Sequence, residues 1–349
     1  MSPAERLPLH AVHAAAGAAF AERAGRRVVA SYGDAAAEYE AALEGAGLID
    51  LAERDVLVVS GPKRQSFLQG MLSNDVEGCQ AGQGCRAALM TAKGGLRYLL
   101  RVLVEKDVIR LETDADRRDS LRKALELYRV AAPVQFASEP RAVLGLLGRE
   151  AARILKDQAI EPPGSPEGHA RVELAGRELV LARAGDLPGG GFVLHVAPED
   201  AQAVWEVLAG GGARPVGRDA LDARRVEDLR PWYGFDITEA NLLHETGLLS
   251  ELHSSTKGCY IGQEVVARLE ARGGKVNKAL RRLRLSAPSA PGGVLLAGEK
   301  EVGRVSTAAT SPRVGPIALA WVHRSHFDPG SELSVEGSPA TVVGGFEQE

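Results

Sequence analysis

The sequence predicts an α+β protein in two parts, a sheet-and-helix module over residues 1–275 and an all-β domain over 276–349. Three observations carry this. Strand-like and helix-like blocks follow each other in irregular order through the module, unlike the strict alternation of a doubly wound sheet. The succession of blocks starts again near residue 138, which divides the module into two subdomains. After Gly273-Gly274 the texture changes to short strands between turn residues, spaced as in small antiparallel barrels or sandwiches.

Taken in order, residues 35–47 are rich in Ala and Glu and read as helix. Residues 55–61 form a strand running into a turn. Pro62 can open the next helix, whose Phe67, Leu68, Met71 and Leu72 share an apolar face. Residues 78–85, Gly-Cys-Gln-Ala-Gly-Gln-Gly-Cys, have the composition of a loop. Residues 96–104 and 108–111 make a hairpin about Lys106-Asp107, and 117–128 a helix with Leu121, Ala124, Leu125 and Tyr128 on one face. Val134 and Phe136 open a further strand. The second block brings a strand at 142–147, a helix at 150–159 and strands at 172–174, 179–181 and 192–194. An amphipathic helix at 199–208 is stopped by Gly210-Gly211-Gly212. Residues 225–237 set aromatics and a glycine among charges, which reads as a binding loop more than a core. Gly262 leads into a helix that Gly273 stops. The terminal strands centre on 283–285, 294–296, 302–308, 317–322, 333–335 and 342–343. Arg282 and Arg284 alternate with Leu283 and Leu285, so a solvated arginine face is expected.

The chain has 349 residues, 45% of them hydrophobic, and a formal net charge of -4. A general nucleic-acid or membrane-surface binder would show a basic excess, so neither partner is expected. Apolar runs fall short of the ~20 residues of a membrane span, and the first residues lack the order of a secretory signal. Three cysteines, Cys79, Cys85 and Cys259, do not describe a disulfide framework. A reducing, cytoplasmic setting is therefore expected. Their spacing matches no recurrent metal motif, so no metal ligands are assigned.

The most informative stretch is Lys257-Gly258-Cys259-Tyr260-Ile261-Gly262-Gln263-Glu264. It sets one cysteine between two glycines, beside a lysine and ahead of a helix. A nearby cation and a helix N-terminus both favour thiolate over thiol. Cys259 is thus a candidate functional thiol, against the alternative of a small buried hydrophobe. His244 and His253 flank the stretch, and either could serve as its base if the fold brings it into reach.

Three segments in order, Arg225-Val226-Glu227, Tyr233-Gly234-Phe235-Asp236-Ile237 and the octapeptide, resemble the folate-binding superfamily of the glycine-cleavage aminomethyltransferase. The cysteine-bearing octapeptide is similar to one branch, the YgfZ-type tetrahydrofolate-dependent proteins of iron–sulfur cluster assembly and repair. Weaker likeness runs through residues 67–75, 92–95 and 127–130. The resemblance implies two intertwined subdomains enclosing a folate pocket and a C-terminal antiparallel β-barrel. It implies tetrahydrofolate or a derivative as cofactor, and iron–sulfur proteins or cluster-assembly factors as partners. It implies that Glu227 accepts the paired N–H groups of a pterin, which a carboxylate can do. Lys257, Tyr98, Arg183 and Tyr233 are the further folate-binding candidates, with Cys259 as the reactive group. Lys257 could attract an anionic folate tail or lower the thiol's pKa. Two departures stand out. The segment Gly94-Gly95-Leu96-Arg97-Tyr98-Leu99-Leu100 lacks the aspartate with which the aminomethyltransferases activate folate, so acid–base work there is lost. The Tyr-Thr-Gly-Glu signature is replaced by residues around Arg183 and Asp186. The leading expectation is a folate-binding protein of cluster assembly or repair. A folate-dependent aminomethyltransferase and a non-catalytic folate-binding regulatory module are the alternatives, and whether the chain is an enzyme stays open.

Overall fold

The computed structural model describes residues 8–23 and 26–346. It contains a six-stranded sheet, a five-stranded sheet, a closed six-stranded barrel and a small N-terminal hairpin. The six-stranded sheet runs His169–Leu174, Arg177–Ala184, Gly191–Val196, Ala142–Leu147, Gly47–Asp50, Arg214–Pro215. Its pairings are antiparallel except the last. The five-stranded sheet, antiparallel throughout, runs Gln83–Met90, Leu96–Val104, Val108–Asp114, Arg54–Ser60, Gln135–Ser138.

The chain path explains how the two units intertwine. Gly47–Asp50 enters the six-stranded sheet, the chain leaves to build the whole five-stranded sheet, and Ala142–Leu147 returns to pair with Gly47–Asp50. The first unit is an excursion between two neighbouring strands of the second. Close approach fixes the junction: a Cβ at Gly145 would lie 2.7 Å from the Ile49 side chain.

The α+β fold is the one the sequence predicts, with three local corrections. The helix Ala35–Leu43 ends before residue 47, and Gly47–Asp50 is a strand. That strand is nearly all buried, so it shows no alternation to read. The strand Gln83–Met90 begins inside the segment expected to be loop. Its Gln-Gly-Cys opening has turn composition, and its buried second half also lacks alternation. The segment 225–237 is core rather than a binding loop. Trp232 and Tyr233 are buried, and Arg225 is fully enclosed. Arg225 donates to Asp222 at 3.0 Å and to Asp236 at 2.9 Å. Buried charges are tolerated when paired in this way.

The barrel strands pack Leu283, Leu285, Leu295, Val305, Leu333 and Val342 inward. Asp236 anchors the barrel to the rest: its carboxylate accepts from Ser306 and Thr307 at 2.7 Å, and its carbonyl accepts from the Trp321 indole at 2.7 Å. The helix Arg218–Glu227 rests on the outer barrel wall, with Val226 against Ile317 and Leu319. Arg281 is buried against Phe327, and Arg282 donates to the Glu227 carbonyl and is half-buried, so of these three Arg284 is the exposed one. No described helix is long and apolar enough to cross a membrane.

Candidate functional site

The octapeptide forms an elbow docked on the five-stranded sheet. Gly262 caps the helix Gln263–Glu270 with φ of 86°. A Cβ there would lie 2.7 Å from the Thr91 carbonyl oxygen. Across the contact, Gly94 has φ of 79°, and a Cβ would meet Val265 at 2.8 Å. Both positions need glycine for the conformation and for the approach. The turn Thr91–Gly95 and the octapeptide, far apart in sequence, are thus one packed unit.

Lys257 clamps the elbow from the other side. Its ammonium donates to the carbonyls of Gln69 at 2.6 Å, Asn74 at 3.0 Å and Leu72. These carbonyls lie at the end of the helix Arg64–Met71, where unpaired acceptors and the dipole suit a cation. Burial depresses the Lys257 pKa from the ordinary 10.5 to about 8. The ammonium also stands 5.0 Å from the centroid of the Tyr260 ring.

Cys259 is exposed at the tip, whereas Cys79 and Cys85 are half-buried against the core of the five-stranded sheet. A hydrogen bond with Cys79, followed by burial, pushes the Cys85 thiol far up. Of the three thiols, Cys259 is the one open to a partner. His253 lies 3.7 Å from Glu270, and burial lowers its pKa. His244 is buried with neither ring nitrogen hydrogen-bonded. Among the described residues, neither imidazole hydrogen-bonds Cys259.

The folate candidates fall in separate places. Tyr98 and Tyr233 come together, with the Arg117 guanidinium 4.9 Å from one ring and 4.5 Å from the other. Their hydroxyls are already used: Tyr98 donates to Ser120 at 3.0 Å, and Tyr233 to the Leu96 carbonyl at 3.0 Å. Arg183 sits over Phe192 at 5.5 Å in the six-stranded sheet. Glu227 accepts from the Tyr39 hydroxyl at 2.9 and 2.7 Å and from Arg224 at 2.5 Å.

Between the two sheets lies a charge cluster that the sequence reading missed. Arg101, buried, donates to Glu112 at 3.1 Å and to Glu167 and Asp186. His195 lies 2.8 Å from Glu112, and Arg54 3.7 Å from Asp186. Burial works to raise the Glu112 pKa, but Arg101, His195 and Arg54 outweigh it and hold it down at about 2. A charge in the middle of the apolar strand Leu96–Val104 was the available signal. The remaining void, lined by Arg54, Arg86, Arg101, Asp186, Trp232 and Tyr233 among others, measures ≈ 10 Å³. That holds one water at most.

Comparison with known proteins places this geometry. Residues 9–253 match the GCVT N-terminal domain, and residues 278–344 match the glycine cleavage T-protein C-terminal barrel domain. The chain belongs to the glycine-cleavage T-protein family. An aminomethyltransferase of Saccharopolyspora erythraea is 31% identical over 347 residues, covering 96% of this chain and 95% of that one. An aminomethyltransferase of Streptomyces coelicolor is 28% identical over 357 residues, covering 97% and 96%. The crystal structure of the glycine cleavage system aminomethyltransferase T from Bartonella henselae superimposes with a TM-score of 0.88, covering 97% of both chains at 24% identity. The family's fold thus extends over both parts of the chain, closed barrel included.

Proposed function

We propose that this T-protein family member serves iron–sulfur cluster assembly or repair through the Cys259 thiol, with tetrahydrofolate as its ligand and cluster proteins as partners. One observation carries the reading: the exposed thiol stands on an elbow fixed by Lys257, Gly94 and Gly262. The lack of a carboxylate between Leu96 and Leu100 supports it, since an aminomethyl transfer needs acid–base help near the folate. A single thiol cannot complete a cluster's ligand set, so direct ligation needs a partner's ligands.

The folate part of the reading meets a constraint. Pockets for ligands of that size measure ~300 Å³ or more. The ≈ 10 Å³ void beside Tyr233 is far smaller, and Arg101 already pairs the acids around it. A pteridine does not fit in that void as the sheets are packed. Glu227 borders a larger cavity, and its carboxylate already accepts from two donors, the Tyr39 hydroxyl shared between its oxygens and Arg224.

The test replaces Cys259 with serine and measures a cluster-dependent enzyme in cells lacking the wild-type protein. We expect loss of that activity with normal protein levels; full activity would refute the thiol's role. The 31% identity to an aminomethyltransferase favours a second reading, folate-dependent one-carbon transfer. Formation of methylene-tetrahydrofolate from a lipoyl-bound aminomethyl donor would establish it instead.

A further inference from the structure

Where the helix Arg218–Glu227 ends against the barrel, a cavity of ≈ 140 Å³ opens, lined by Glu227, Arg282, Arg284, Val314, Ile317 and Val343. Arg282 and Arg284 are two apart on the strand Lys278–Leu285, so both leave its outer face. Arg282 is half-buried and fixed by donating to the Glu227 main-chain carbonyl. The Glu227 carboxylate does not neutralise it, because that carboxylate is paired with Arg224. Among the described residues, neither Arg282 nor Arg284 has a carboxylate partner. The rest of the lining, Val314, Ile317 and Val343, is apolar, and Val314 at the tip of the hairpin is 45% exposed.

We propose that this cavity binds a carboxylate carried on a compact apolar ring. The charge requirement is direct. Two neighbouring guanidinium groups lack an anion, and arginine recognises carboxylate through paired N–H donors. The apolar side chains select against a bare hydrated ion, since they offer it nothing in return for its lost water. The volume limits the body: it is well below the ~300 Å³ of a full drug-sized pocket, so one ring enters and any extension lies outside. Two sources share this chemistry. One is a free aromatic carboxylate. The other is the p-aminobenzoylglutamate end of a folate, an assignment that rests on the folate reading above.

Calorimetric titration with benzoate, p-aminobenzoylglutamate and the neutral benzamide tests the site. Wild type should bind the two carboxylates and not benzamide. Arg284→Gln and Val314→Asp, both at exposed positions, should each weaken carboxylate binding about tenfold or more while leaving the melting temperature unchanged. Failure of both carboxylates to bind, or equal binding by wild type and both variants, overturns the proposal. Tetrahydrofolate then separates the sources. If its affinity falls in the same variants, the cavity holds the folate tail. If it binds all three proteins equally while the carboxylates do not, the cavity serves a free carboxylate and folate lies elsewhere. If tetrahydrofolate never binds, the carboxylate site stands and the folate reading falls.

Discussion

Lys257→Met is the sharpest test of the elbow. The substitution keeps an unbranched chain of similar reach and removes the ammonium that holds the carbonyls of Gln69, Leu72 and Asn74. Deleting a charged donor costs about 1.5–3 kcal/mol per hydrogen bond. The three are not additive, and water can reach part of this half-buried group. Against that stands a gain. Burial of the charge lowers the pKa from 10.5 to about 8, nominally about 3 kcal/mol, which partial exposure reduces to roughly 1–2 kcal/mol. The hydrogen bonds win, and we expect a net loss of about 2–3 kcal/mol at pH 7. The pH dependence gives the decisive sign. The folded-state pKa is depressed, so between about 8 and 10.5 the unfolded chain binds more protons than the folded one. Wild-type stability therefore rises through that window relative to the methionine variant, which has no group to titrate. Urea unfolding of both proteins between pH 7 and 10.5 measures the difference. A deficit that stays constant or shrinks as pH rises would refute the reasoning.

Two further substitutions probe the packing beneath. Gly94→Ala puts a side chain at φ of 79° and 2.8 Å from Val265; strain and overpacking should cost about 2–4 kcal/mol and speed thiol labelling of Cys259, read by melting temperature and a chromogenic disulfide. Arg101→Met strands Glu112, Glu167 and Asp186 and should cost about 3–5 kcal/mol at pH 7. Its unpaired acids would then have raised pKa values, so the deficit should narrow on acidification toward pH 5; an equal deficit at both pH values would contradict the pairing.

Much of the fold was legible because its elements are amphipathic or bounded by strong breakers. The helix Arg118–Glu126 shows Leu121, Ala124 and Leu125 at helical spacing, and the barrel strands stand between turn residues. What escaped was buried on both sides. Gly47–Asp50 and the end of Gln83–Met90 carry no alternation, because no face of either meets water. The octapeptide was legible as a glycine-bounded elbow carrying a cysteine, and that cysteine is exposed. The partners of Lys257 were not, because they are main-chain carbonyls, which any sequence could supply. Arg225 and Trp232 misled for a related reason. Charged and aromatic residues in a short segment suggest a surface, yet here Arg218 and Arg225 stack within 4.8 Å of the Trp232 ring and are buried with it, beside the half-buried Arg54.

The charge cluster between the sheets and the exposed thiol answer different physical constraints. Buried carboxylates persist only when something neutralises them. Glu112 belongs to the five-stranded sheet, Asp186 follows a strand of the six-stranded sheet, and Arg101 spans both. Each acid is thus paired by protein rather than left for a ligand, and the interface becomes a weld whose parts cannot be removed singly. The void lined by Arg101 and Asp186 is water-sized. At the surface, among the described residues, the structure offers an open thiol at Cys259 and two arginines at the barrel cavity without a carboxylate partner.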